Sequence, residues 1–129
     1  MSIVSPLARP LLAGVFVAGG IDVLRRPESR AELAAPVIEQ MQAAVPVLPE
    51  HPHAVVRTNA AVQVGAGAML ALGIAPRLAA LTLAGSLVPT TLGGHRFWEI
   101  EDPRQRAQQR THFLKNAAIL GGLLLAVFD

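Results

Sequence analysis

The sequence predicts an all-α integral membrane protein: a bundle of four transmembrane helices, with an amphipathic helix between the first and the second. Three observations carry this. Of 129 residues, 52% are hydrophobic and 16% charged, where an ordinary soluble domain has about a quarter charged. The apolar residues come in four blocks, and the charges sit almost wholly between them. The length fits one domain over residues 1–129.

The blocks define the spans in order. A spanning helix needs about 20 mostly apolar residues. The first block, 10–24, has Asp22 as its one charge, and with its polar flank it predicts a span over 5–25. The uncharged block 58–76, broken only by Asn59 and Gln63, predicts a span over 54–74. The third covers 77–95 and the fourth 110–128. A soluble bundle would show a polar helix face at a period of 3.6 residues, and 78–88 and 119–128 show none. A cleaved signal peptide would carry a basic leader before the first block; here three further spans follow instead.

The connections carry their own signals. Leu33, Ala34, Val37, Ile38, Met41, Ala44 and Val45 alternate with Glu32, Glu39, Gln40 and Gln42. That pattern predicts an amphipathic helix at the membrane surface over 28–45, kinked or restarted at Pro36. Pro46, Pro49 and Pro52 make a stiff run back to the second span. Gly73-Ile74-Ala75-Pro76 predicts a tight turn, and 96–109 a short charged loop. Pro89 should bend the third span, with Thr90 and Thr91 satisfying freed carbonyls. Small residues four apart, at Gly14–Ala18, Ala80–Ala84 and Ala118–Gly122–Ala126, are the expected helix contacts.

Charge sets the orientation. Arg9 and Arg77 fall on one side of such a bundle, and the other nine basic residues on the opposite side. The positive-inside rule then puts both long loops in the cytoplasm and both termini outside. Trp98 and Phe97 follow the third span as interfacial anchors do. A further pattern suggests two helical hairpins in parallel repeat. Arg57-Thr58-Asn59-Ala60-Ala61-Val62 matches Lys115-Asn116-Ala117-Ala118-Ile119, and glycines follow each.

Composition also excludes function classes. The chain has no cysteine, so disulfide frameworks, thiol catalysis and thiolate metal sites are out. Eleven basic residues face nine acidic ones and the aromatics are few, which leaves no nucleic-acid footprint. No nucleophile triad, phosphate loop or dinucleotide fingerprint is present. Of four histidines, only His95 and His112 could face one another for haem, and a metal set with Glu99 and Glu101 has no recognised spacing. No catalytic residue and no metal site is assigned.

The candidate site is the polar set near the cytoplasmic ends of the spans: Asp22, Arg57, Asn59, Gln63, His95, Arg96, Trp98, His112, Lys115 and Asn116. Polar groups at membrane depth usually point into the bundle and pair. Asn59 and Gln63 share one helix face, as do His112 and Asn116. Asp22 is expected within reach of Arg57, His95, Arg96 or Lys115. The plain alternative is that Arg57 and Lys115 reach for the interface and Asp22 neutralises one of them.

Several short motifs run in order along the chain: Arg9-Pro10-Leu11-Leu12-Ala13-Gly14; Gly19-Gly20-Ile21-Asp22 with Leu24-Arg25-Arg26-Pro27; Gln63-Val64-Gly65-Ala66-Gly67 with Leu72-Gly73 and Pro76-Arg77; His95-Arg96-Phe97-Trp98; and Phe113-Leu114-Lys115-Asn116 with Gly121-Gly122. Their order and spacing resemble the DoxX family of small four-helix bacterial membrane proteins. The resemblance implies a bacterial plasma-membrane protein in a redox or oxidative-stress setting, since relatives include small subunits of thiosulfate:quinone oxidoreductases. The first reading is a non-catalytic membrane subunit that anchors or recruits redox partner proteins. The alternative is a quinone-binding subunit of an oxidoreductase, quinone being the one cofactor implied. A small-solute transporter ranks third, because four short helices leave little room for a gated path without a homo-oligomer. Expected partners are the lipid bilayer and other membrane or redox-complex proteins.

Overall fold

The structure, a computed structural model, describes residues 3–45, 51–94 and 97–128, and at 27–30, 33, 34, 93 and 94 it describes the backbone alone. Among the described residues five helices follow one another: α1 (Ser5–Arg25), α2 (Pro27–Ala44), α3 (Pro52–Leu72), α4 (Pro76–Gly94) and α5 (Pro103–Phe128), with a 3-10 turn at Phe97–Glu99 before α5. No strand occurs among the described residues. Every helix has a proline at its first or second position: Pro6, Pro27, Pro52, Pro76 and Pro103. Proline lacks an N–H that the first turn leaves unused, and its fixed φ is already helical.

The four expected spans are α1, α3, α4 and α5. α3 stops at Leu72 rather than 74, because Gly73 turns left-handed at φ 73° and its N–H bonds back to the Leu70 carbonyl. The Ile74 N–H reaches the Met69 carbonyl at 2.8 Å, completing a Schellman stop. α5 begins at Pro103, well before the expected 110, because 103–109 holds only good helix formers after its proline. Among the described residues three helices, α1, α3 and α5, are long and apolar enough to cross a membrane, and α4 is not one of them. Arg77, Ser86, Pro89, Thr90 and Thr91 lower the apolar content of α4.

α2 is one helix through Pro36. Its expected faces are present in part: Glu32, Glu39 and Gln40 are exposed, Val37 and Met41 are half-buried, and Ile38 is buried with Ala31 in a cluster with Val56 of α3, but Ala44 and Val45 are exposed, Gln42 is half-buried, and the side chains of Leu33 and Ala34 lie outside the described residues. The helix lies against α3 and α4.

α1 packs on α3, α3 on α4, and α4 on α5. The α1–α3 contact depends on Gly20, where a Cβ would stand 2.6 Å from Val64 Cγ2 and 2.9 Å from the Ala60 carbonyl oxygen. The buried stripe of α1 is Ala13, Phe16 and Gly20. The expected Gly14–Ala18 pair is on the exposed face instead. In a helix apolar all round, the period of apolar residues does not say which face turns inward. Ala80 and Ala84 are buried as expected, whereas of Ala118–Gly122–Ala126 the first is exposed, Gly122 faces Leu12 and Ala126 packs against the core.

The bundle has two unlike halves. Around the α3–α4 turn the core is apolar: Ala13, Phe16, Ala66, Leu70, Ala79, Ala80, Leu83, Ala84, Leu87 and Leu123 form one cluster. Toward the long connections the buried residues include Gln63, Ser86 and Asn116.

Candidate functional site

α3 presents Asn59 and Gln63 one turn apart, and α4 presents Ser86 and Thr90 with the same spacing. The four interlock. Asn59 Nδ2 donates to Thr90 Oγ1 at 2.7 Å. Gln63 Nε2 donates to Ser86 Oγ at 3.0 Å and to Thr90 Oγ1 at 3.1 Å. Ser86 Oγ donates to Asn59 Oδ1, and Thr90 Oγ1 to the Ser86 carbonyl at 2.9 Å. One residue further along α4, Thr91 Oγ1 accepts from Asn116 Nδ2 of α5 at 3.0 Å and donates to the Leu87 carbonyl at 2.8 Å. Consecutive threonines thus hold α4 to both neighbours. Their hydroxyls bond carbonyls of their own helix, those of Ser86 and Leu87, and not the carbonyl that Pro89 frees, which is Gly85's four residues before it, so the expected rescue of that carbonyl is not what the threonines do.

Beside this network lies a cavity of about 350 Å³, partly open to the outside. All five helices contribute: Val15, Phe16, Gly19 and Val23 of α1; Val37, Ile38 and Met41 of α2; and residues of α3, α4 and α5 that include Asn59, Gln63, Thr90 and Asn116. Its volume falls in the range of small-ligand sites. None of the lining residues is ionisable. Val15, Gly19, Thr58 and Val62 line it while being exposed, and Val15 and Val62 are near the middle of α1 and α3, so the opening lies on the flank of the bundle.

Of the ten candidate residues, the structure brings Asn59, Gln63 and Asn116 to this cavity. Asp22, Arg57 and Lys115 have exposed side chains and do not line it. No ion pair joins Asp22 to Arg57 or Lys115. His95 and Arg96 lie outside the described residues. His112 is half-buried on α5, away from the cavity wall. Trp98 is 46% exposed and meets Phe97 and Phe113 edge to face, with ring centroids 5.4 and 5.7 Å away. Phe97 and Phe113 close the trio at 5.4 Å. Among the described residues no three His, Asp or Glu side chains converge.

Nothing in the sequence sets Ser86 apart, and Thr90 and Thr91 read there only as partners of the backbone. Their spacing is the signal that could have found them: Ser86 and Thr90 are four apart, matching Asn59 and Gln63 on the facing helix.

The DoxX family model matches residues 5–96. The chain belongs to the DoxX family. Together with its long apolar helices, this makes it a DoxX membrane protein. The match takes in α1 to α4, and with them Asn59, Gln63, Ser86 and both threonines, while α5 and Asn116 lie beyond it. Neither a curated protein nor a solved structure matches this DoxX chain.

Proposed function

We propose that this DoxX protein is a membrane subunit that binds quinone, with the ring seated in the cavity among α1, α3, α4 and α5. The observation that carries this is the cavity itself: apolar walls, one edge of neutral amides, and an opening on the bundle flank. A quinone is flat, apolar and uncharged, and its two carbonyls seek donors. Asn59 and Asn116 each commit one amide hydrogen and hold a second. When bound, the quinone supplies the capacity to take up electrons; the chain's residues bind it, orient it and exclude water. Among the described residues no ionisable side chain lines the cavity, and protons and electrons then come from a partner, which fits a subunit that is not catalytic alone.

The reading includes four spans in the bacterial plasma membrane, long loops cytoplasmic and termini outside, in a redox setting. α4 counts as a span because its polar side chains turn inward: Ser86 is buried and Thr90 half-buried, and both bond to α3. α2 then sits at the cytoplasmic interface as a cover on the cavity. The match between Arg57–Val62 and Lys115–Ile119 is kept as a hairpin repeat, with Asn59 and Asn116 as its equivalent positions.

The test is quinone binding by the whole chain in nanodiscs. Gly19 lines the cavity, and a Cβ there meets nothing within 4 Å, so Gly19→Phe should fill the mouth without disturbing the backbone. The wild type should retain a short-tailed quinone and Gly19→Phe should lose it with its thermal transition intact. Equal binding by both, or none by the wild type, would overturn the reading.

A second role, anchoring soluble redox partners, has its own observation. Arg104, Arg106 and Arg110 are exposed on the first two turns of α5, and the helix carries no acidic residue. Reversing these three charges should abolish co-purification of an acidic partner while quinone binding persists.

A further inference from the structure

We infer that the cavity is built to receive a hydrogen-bond donor, and so holds the reduced diol form of its ligand in preference to the quinone. The inference rests on the quinone reading above and adds which redox form the site selects.

The argument is an inventory of the network's hydrogens and lone pairs. A hydroxyl has one hydrogen to give and an amide has two, with an acceptor oxygen beside them. Thr90 Oγ1 gives its hydrogen to the Ser86 carbonyl and accepts from Asn59 and Gln63, so it is saturated. Ser86 Oγ gives to Asn59 Oδ1 and accepts from Gln63. Gln63 Nε2 spends both hydrogens on Ser86 and Thr90. Thr91 gives to the Leu87 carbonyl and accepts from Asn116.

Two oxygens are left over, beside one spare amide hydrogen each on Asn59 and Asn116 that the oxygens of a quinone and of a diol accept alike, so the oxygens decide between the two forms. Gln63 Oε1 and Asn116 Oδ1 accept from no group among the described residues. Both residues are about 7% exposed, yet no enclosed side-chain nitrogen or oxygen among the described residues lacks a partner. The two oxygens are therefore reached from open space, and both residues line the cavity. An unpaired carbonyl facing hydrocarbon costs several kcal/mol, so these positions call for an O–H or N–H. Among the described residues no lysine, arginine or histidine lines the wall to provide one. A quinone brings carbonyls and leaves both oxygens unpaired, whereas the corresponding diol brings two hydroxyls. Sites built to hydrogen-bond a ligand hydroxyl discriminate strongly against the analogue that lacks it.

The test compares three ligands on one ring and one decyl tail: the benzoquinone, the diol made by reducing it, and the dimethyl ether of that diol. Each is titrated anaerobically into wild-type chain in nanodiscs, with binding to empty nanodiscs subtracted. The diol should bind at least about tenfold more tightly than either other ligand. Each tenfold preference would raise the midpoint potential of the bound couple by about 30 mV. Gln63→Met should lower the affinity for the diol toward that for the dimethyl ether while retaining quinone binding, and Asn116→Leu, which removes an acceptor and a spare amide hydrogen together, should weaken both ligands and the diol more. If either variant fails to fold, the wild-type ranking decides. A quinone or dimethyl ether that binds as well as the diol overturns the inference, as does a full preference surviving in both folded variants. Quinone binding without that preference leaves the quinone reading standing, and binding of none of the three removes both.

Discussion

Thr90 carries more of the structure than its size suggests, because its single oxygen accepts from two amides on α3 and donates to its own helix. Thr90→Val keeps the shape and removes the acceptor. Hydrogen bonds between membrane helices are worth about 0.6 kcal/mol on average and up to about 1.7, so this variant should lose about 1–2 kcal/mol in detergent unfolding. Thr91→Val breaks one interhelical bond, from Asn116, and should lose less. A sharper contrast comes from two glycines of α1. A Cβ at Gly20 would meet the Ala60 backbone oxygen at 2.9 Å, and one at Gly14 meets nothing within 4 Å. Gly20→Ala should therefore cost about 1–3 kcal/mol, the usual penalty of overpacking, and Gly14→Ala essentially nothing. Equal stability of the two would mean that α1 and α3 are not in close contact. The difference was not legible in the sequence: Gly14, Gly19 and Gly20 stand in one uncharged run, and only the packing decides which of them meets a neighbour. The polar residues were more legible, since Asn59, Gln63 and Asn116 stand out in apolar blocks. Ser86, Thr90 and Thr91 did not, because hydroxyls at helical spacing are also ordinary residues that bond their own helix.

At the scale of elements, α2 is where the sequence and the structure are most closely comparable. Its faces were readable: Val37, Ile38 and Met41 against Glu32, Glu39 and Gln40. Its continuity was not, because Pro36 removes one backbone bond and yet the helix passes through it. What holds it is tertiary, the burial of Ala31 and Ile38 beside Val56. The helix ends followed local rules more closely. Gly73 closes α3 as a left-handed cap, and prolines open every helix, but the early start of α5 at Pro103 was hidden by a charged segment that reads as a loop. Ile38→Asp puts a carboxylate into the α2–α3 contact and should lift α2 from the bundle. Hydrogen exchange in nanodiscs should then show protection across 31–44 in the wild type and its loss in the variant, with α1 and α3 unchanged. Absence of protection in the wild type would separate α2 from the bundle and remove the cover from the cavity.

For the whole molecule, the fold class was legible and the number of crossings is the open step. Uncharged blocks announce helices that suit lipid, but α4 places its polar residues against α3 and α5, which lowers its apolar content without exposing them. The same inward turn builds the network beside the cavity, so the polar residues that set α4 apart from α1, α3 and α5 are also the ones that form that network. The consequence can be tested by labelling, since the chain has no cysteine of its own. Ile74 is 52% exposed at the turn between α3 and α4, and Arg104 is exposed at the start of α5. If α4 crosses the bilayer, single cysteines at these two positions lie on opposite sides. Ile74→Cys should react with a membrane-impermeant maleimide on intact cells, and Arg104→Cys only in inverted vesicles. Labelling of both from one side would leave α4 within a single leaflet and reduce the crossings to three. The reverse pattern would keep four crossings and overturn the orientation drawn from the nine basic residues on the long-loop side.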